Sequence, residues 1–154
     1  MSDLPDFTNY SYIVIAEQIL NYLKQKPYFG DVKISKGVKT LEKFEKATLL
    51  EIENTGIIFG GYIVSSEPAS SDYYVDITVD IGEEVAFDPS IDSELNIGHE
   101  STHLLRVLYY NPNTYKFVVE VGKDIYFERL FKLAVDNMTV GSFQVSWVIY
   151  YALP

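Results

Sequence analysis

The chain has 154 residues, 47% of them hydrophobic, and no cysteine. That length suits one domain with a single core, the apolar content excludes a disordered chain, and the missing thiols exclude disulfides, thiolate metal sites and cysteine nucleophiles. A formal charge of −10, with Arg106 and Arg129 the only arginines, excludes the clustered basic surface that gripping nucleic acid requires.

The first residues, Met1-Ser2-Asp3-Leu4-Pro5-Asp6, carry acids before any apolar stretch. They lack the basic segment that opens a secretory signal, and no apolar run approaches the roughly 20 residues of a membrane span. Folding in a cytoplasm is the expectation. Ile13, Ala16, Ile19, Leu20 and Leu23 then recur at helical spacing opposite Glu17, Gln18, Asn21 and Lys24, so a helix is predicted over 11–26, stopped by Pro27. Val32-Lys33-Ile34 alternates briefly, and a lysine-rich loop or short helix (Lys33, Lys36, Lys39, Lys43, Lys46) follows.

Ala47 to Glu53 and Ile57 to Val64 read as strands because they are rich in β-branched and aromatic residues and are separated by the turn Asn54-Thr55-Gly56. A loop composition covers Ser65 to Asp72. In Tyr74 to Ile81 the residues Val75, Ile77, Val79 and Ile81 alternate with Asp76, Thr78 and Asp80, which predicts a strand with one wet face. A divalent cation on those acids is a weaker reading of the same pattern. Gly82 to Ser90 reads as an acidic turn. A second helix is predicted over 93–110, capped by Asp92 or Ser93 and stopped by Pro112.

The last third alternates repeatedly. Phe117, Val119 and Val121 form one run, and Phe131, Leu133 and Val135 a second. Phe143, Val145, Trp147, Ile149 and Tyr151 form the last, so 127–152 is predicted to fold as a C-terminal hairpin. The fold class expected is α+β: one domain over 1–154, a largely antiparallel sheet with the N-terminal helix and the second helix packed on one face. The 13 tyrosines and 9 phenylalanines suit either a β-rich core or contacts between proteins. Phe143, Trp147, Tyr150, Tyr151, Tyr109 and Tyr110 are the interface candidates.

One string carries catalytic chemistry. The only histidines, His99 and His103, flank Glu100 in the pattern H-E-x-x-H. On a helix this puts two imidazoles on one face as zinc ligands, with a carboxylate to activate the metal-bound water. A peptidase of this kind needs a third ligand, and Glu128 or Glu120 downstream is the candidate. Gly98 weakens a helix there by up to ~1 kcal/mol, and no second motif supplies the third ligand. Two solvated histidines on an amphipathic helix are therefore preferred, with no catalytic residue and no cofactor. Asn9-Tyr10-Ser11 and Asn137-Met138-Thr139 match glycosylation sequons, which have no role without secretion.

The layout from Tyr12–Lys26 through the alternating Gly141–Tyr151, with the strand Glu128–Val135 before it, resembles the tail-terminator or tail-completion family of tailed bacteriophages. The resemblance implies a non-enzymatic virion protein made and assembled in the host cytoplasm. It also implies a ring, typically a hexamer, that caps the tail tube and meets the tube and connector proteins. Such an acidic ring would pass DNA through its lumen without binding it and would touch no membrane. The other readings are the small zinc peptidase and a cytoplasmic α+β protein-interaction module.

Overall fold

A computed structural model describes residues 16–17, 29–89 and 104–154. Strands dominate it: β1 (Lys33–Leu41), β2 (Lys46–Ile52), β3 (Gly56–Ser65), β4 (Tyr73–Val79), β5 (Gly82–Phe87), β6 (Leu105–Tyr110), β7 (Phe117–Val121), β8 (Ile125–Phe127), β9 (Phe131–Asn137) and β10 (Phe143–Ala152). The larger sheet has the order β1-β10-β3-β7-β6, with β8 also paired to β3; the smaller has the order β2-β9-β4-β5. All pairings are antiparallel.

Chain-adjacent strands β1 and β2, β3 and β4, and β9 and β10 lie in opposite sheets, and the two sheets repeat the same interleaved order. That is the winding of a jelly-roll β-sandwich. The inner faces meet through aromatic rings: Tyr73 of β4 stacks on Phe117 of β7 at 4.9 Å between centroids, and Phe127 of β8 meets Phe131 of β9 at 5.7 Å. Ile63, Val119, Leu133, Val145 and Ile149 fill the space between and are fully buried.

The α+β expectation is overturned. Residues 105–110, predicted as the end of a second helix, are strand β6, paired to β7 from Leu105↔Val121 to Tyr110↔Phe117. A six-residue run of five apolar residues and Arg106 satisfies both the helical and the strand period, and the neighbouring strand decides between them. Residues 93–103 lie outside the described residues. So does the predicted helix over 11–26, apart from Ala16 and Glu17, which are helical.

Three further expectations change. The lysine-rich loop is strand β1, whose residues alternate between a more buried set (Ser35, Gly37, Lys39, Leu41) and an exposed set. The acidic turn after Ile81 contains strand β5, and Asp80-Ile81 is a two-residue turn between Val79 and Gly82. The C-terminal hairpin does not form: β9 pairs with β2 and β4, whereas β10 pairs with β1 and β3. The polar turn between them carries the chain from one sheet to the other.

Candidate functional site

In an antiparallel sheet, directly opposed residues point to the same side. The registers of the larger sheet therefore define rows across its outer face. One row runs Val38↔Ser146↔Val64↔Val118↔Tyr109, and the next runs Lys36↔Val148↔Tyr62↔Glu120↔Arg106. In β6 a bulge sets Leu108 and Tyr109 against the single residue Val118, so two successive side chains are exposed on the same edge strand. Val38 is 65% exposed and Leu108 43%. Five strands at about 4.8 Å spacing make this row roughly 20 Å wide. Solvent reaches it throughout, so no described element packs over it.

The charge of this face differs from that of the chain. Lys36 and Arg106 lie on it and Lys123 borders it, against Glu120, whose carboxylate meets Arg106 at 3.5 Å. An apolar, mildly cationic face on a chain of net charge −10 is the feature that stands out against the ordinary distribution of a soluble surface.

Asp76, Asp80 and Tyr73, away from this face, have structural partners. Asp76, expected on a wet face, is 4% exposed, and its carboxylate accepts from the Lys46 ammonium of β2 at 2.9 Å. Asp80 caps the loop after β8: its carboxylate accepts from the backbone N–H groups of Arg129 (2.7 Å), Glu128 (3.0 Å) and Leu130 (3.2 Å). The Arg129 contact is the largest cause holding it below the usual carboxyl range. The acids predicted as a divalent-cation set are thus spent on an ion pair and a turn. The Tyr73 hydroxyl donates to the carbonyl of Tyr115 at 2.6 Å, and burial holds this phenol protonated far above its usual range.

His99, Glu100 and His103 lie outside the described residues. Glu128 is exposed in the loop that Asp80 caps, and Glu120 faces outward on β7. Among the described residues no three His, Asp or Glu side chains gather to hold a metal. Of the six interface candidates, Phe143 lies in the core against Tyr73 at 5.6 Å. Tyr110 turns inward and meets Phe87 edge-on at 6.0 Å. Trp147 lies over Gly37, with its indole N–H donated to Ser35 at 3.3 Å, and Tyr151 is half-buried. Tyr109 and Tyr150 are exposed on the outer face. Sequence reasoning missed Ile34, Val38 and Leu108. The first two alternate with lysines in β1, a signal visible once that segment is taken as a strand.

No protein-family model matches the chain, and no curated protein matches it in sequence. Solved structures do. A chain in the acidic stable capsid structure of Helicobacter pylori bacteriophage KHP30 aligns with a TM-score of 0.51 at 11% identity, over 82% of this chain and 91% of that one. Chains in the cyanophage Pam1 capsid asymmetric unit (TM-score 0.41, 16% identity, 84% and 89% covered) and in the capsid of Ralstonia phage GP4 (TM-score 0.42, 12% identity, 84% and 88% covered) align more loosely. At this identity the KHP30 likeness speaks for the fold: the jelly roll read from strand order occurs there over nearly the whole neighbouring chain.

Proposed function

We propose that this protein is a non-enzymatic structural component of a bacteriophage particle, held there through the outer face of its larger sheet. The observation that carries the reading is the row Val38, Ser146, Val64, Val118 and Tyr109 with the bulged Leu108, apolar but for one serine, wide enough to anchor a protein contact and left open by the described chain. The KHP30 chain, of the same fold, belongs to a capsid, which supports a place on or in the shell.

A finer placement is a homo-oligomeric ring at the end of the tail tube, meeting tube and connector proteins. The net charge of −10 supports it, because an acidic lumen repels DNA over roughly the 8 Å Debye length of physiological salt. Its helical layout is lost at 105–110, and we favour the shell. The test is to purify particles from the source phage, identify their chains by mass spectrometry and label them with gold-conjugated antibody against this protein. Labelling over the shell is the expected result. Label confined to the tail end selects the ring, and absence of the chain from purified particles overturns the reading.

A further inference from the structure

Beside the apolar row, the same outer face is built differently. Strand β3 carries an extra residue at Phe59, because Tyr150 opposes Gly60 and Tyr151 opposes Ile58. Gly60 takes a φ of 138°, a conformation side-chain-bearing residues rarely adopt, and it leaves the position facing Tyr150 without a side chain. The result is a hollow of about 210 Å³ lined by Phe59, Gly60, Tyr62, Tyr150, Glu120 and Lys123, among others. Tyr62 and Tyr150 are 44% and 41% exposed. They stand diagonally across the β3–β10 pair, with Glu120 directly opposite Tyr62.

We infer that this hollow binds one ring of a neutral saccharide. The aromatic side chains offer faces for the C–H surface of a pyranose, while the tyrosine hydroxyls, the Glu120 carboxylate and the Lys123 ammonium supply acceptors and donors for its hydroxyl groups. The charges select the class. Glu120 is paired with Arg106 at 3.5 Å, yet its carboxylate still lines the hollow and repels the oxygens of a phosphate or a carboxylated sugar while accepting from a neutral hydroxyl. A cationic side chain meets Lys123. A wholly apolar ligand leaves Glu120 desolvated without a new partner, which is costly. An uncharged ring with an apolar face and a polar edge satisfies all of the lining groups. A single shallow site of this kind binds weakly, with Kd on the order of 1 mM; if the chain is displayed in many copies on a particle, as proposed above, avidity multiplies that affinity. The site itself does not depend on that display.

The test uses the full purified chain. Saturation-transfer NMR with D-glucose, D-galactose, D-mannose and N-acetylglucosamine, each at tens of millimolar, is expected to show transfer to at least one. Tyr150→Ala and Glu120→Gln should each weaken that binding by about tenfold, roughly the 1.4 kcal/mol of one good contact. Tyr150→Phe, which keeps the ring, should weaken it less, and Val140→Lys, 79% exposed in the turn before β10, should leave it unchanged. Unaltered urea midpoints in these surface variants show that the fold is intact. No transfer from any of the four sugars overturns the inference, as does transfer that survives Tyr150→Ala combined with Glu120→Gln. So does a response to inorganic phosphate or arginine alone. Because no particle enters the experiment, its failure leaves the structural role standing, and loss of the structural role leaves this site standing.

Discussion

The side-chain oxygen of Asn137 accepts both the backbone N–H of Thr139, at 2.9 Å, and its hydroxyl, at 2.6 Å. The amide nitrogen of Asn137 donates to the carbonyls of Leu41 (3.2 Å), Glu42 (3.0 Å) and Gly141 (2.8 Å). One fully buried side chain thus ties the end of β1 to the turn that carries the chain from β9 to β10. Its match to a glycosylation sequon is incidental, since the amide is buried and engaged. Asn137→Ala strands several of these groups without partners and should cost about 3 kcal/mol. Asn137→Asp should cost more, because a carboxylate would face three carbonyl oxygens. Urea midpoints of the three proteins measure both effects.

Asp80 gives the fold a sensitivity to acid. Its carboxyl is held below the usual range chiefly by the Arg129 backbone N–H. In the unfolded chain the carboxyl protonates near its ordinary ~3.9, and in the folded chain at lower pH. Its contribution is therefore present above about pH 4 and is lost as pH falls through the folded value. An amide oxygen accepts the same bonds without titrating, and asparagine tolerates the left-handed φ of 57° found here. Between pH 7 and pH 3 the parent should lose more stability than Asp80→Asn; equal losses in urea titrations would refute the assignment.

The close approach of β3 and β10 rests on Gly61. A Cβ there would clash with the Val148 carbonyl oxygen and fall 2.9 Å from the Cα of Ile149. Backbone cannot step aside as a side-chain tip can, so the strands must part. Gly61→Ala should cost about 3 kcal/mol or more. At Gly60 the nearest atoms would lie at 3.6 Å or beyond, so Gly60→Ala should cost about 1–3 kcal/mol from its φ alone. Calorimetry of the two variants orders them.

The apolar row predicts a separation between folding and assembly. Val38→Lys with Leu108→Lys places charge on two exposed positions of the outer face. Each change should alter stability by no more than about 0.5 kcal/mol, yet together they should remove the chain from the particle. Complementation of a deletion phage, followed by mass spectrometry of purified particles, reads this directly. Retention of the doubly substituted chain would show that the contact lies elsewhere.

Replacing His99 and His103 by alanine distinguishes the structural reading from the zinc peptidase. Incorporation into particles should be unchanged, with no hydrolytic activity to lose. A zinc-dependent peptidase activity abolished by the double change would point to the motif instead.

Much of the β architecture was legible because alternation is a local property. Phe117–Val121 and Phe131–Val135 alternate apolar residues in their own sequence, and they are strands. The segment Leu105–Tyr110 was not legible: five apolar residues and Arg106 suit a helix as well as a strand, and only β7 beside them settles the matter. The lysines of β1 hid a strand in the same way, because an exposed edge strand needs few apolar residues. The candidate surface was half visible, in Tyr109 and Tyr150. The hollow was not, since it depends on an extra residue at Phe59 that exists only relative to β10.

By itself, then, the sequence determined the acidic charge, the absence of thiol chemistry, and which residues of the later strands face inward. The tertiary structure decided that Phe131–Asn137 and Phe143–Ala152, neighbours in the chain, join different sheets, and that β1 lies beside β10 from Lys33↔Tyr151 to Leu41↔Phe143. The reason is physical. The period-2 pattern encodes which side of a strand is apolar. Which strand lies next to it is set by packing between segments about a hundred residues apart, where only the assembled core can choose.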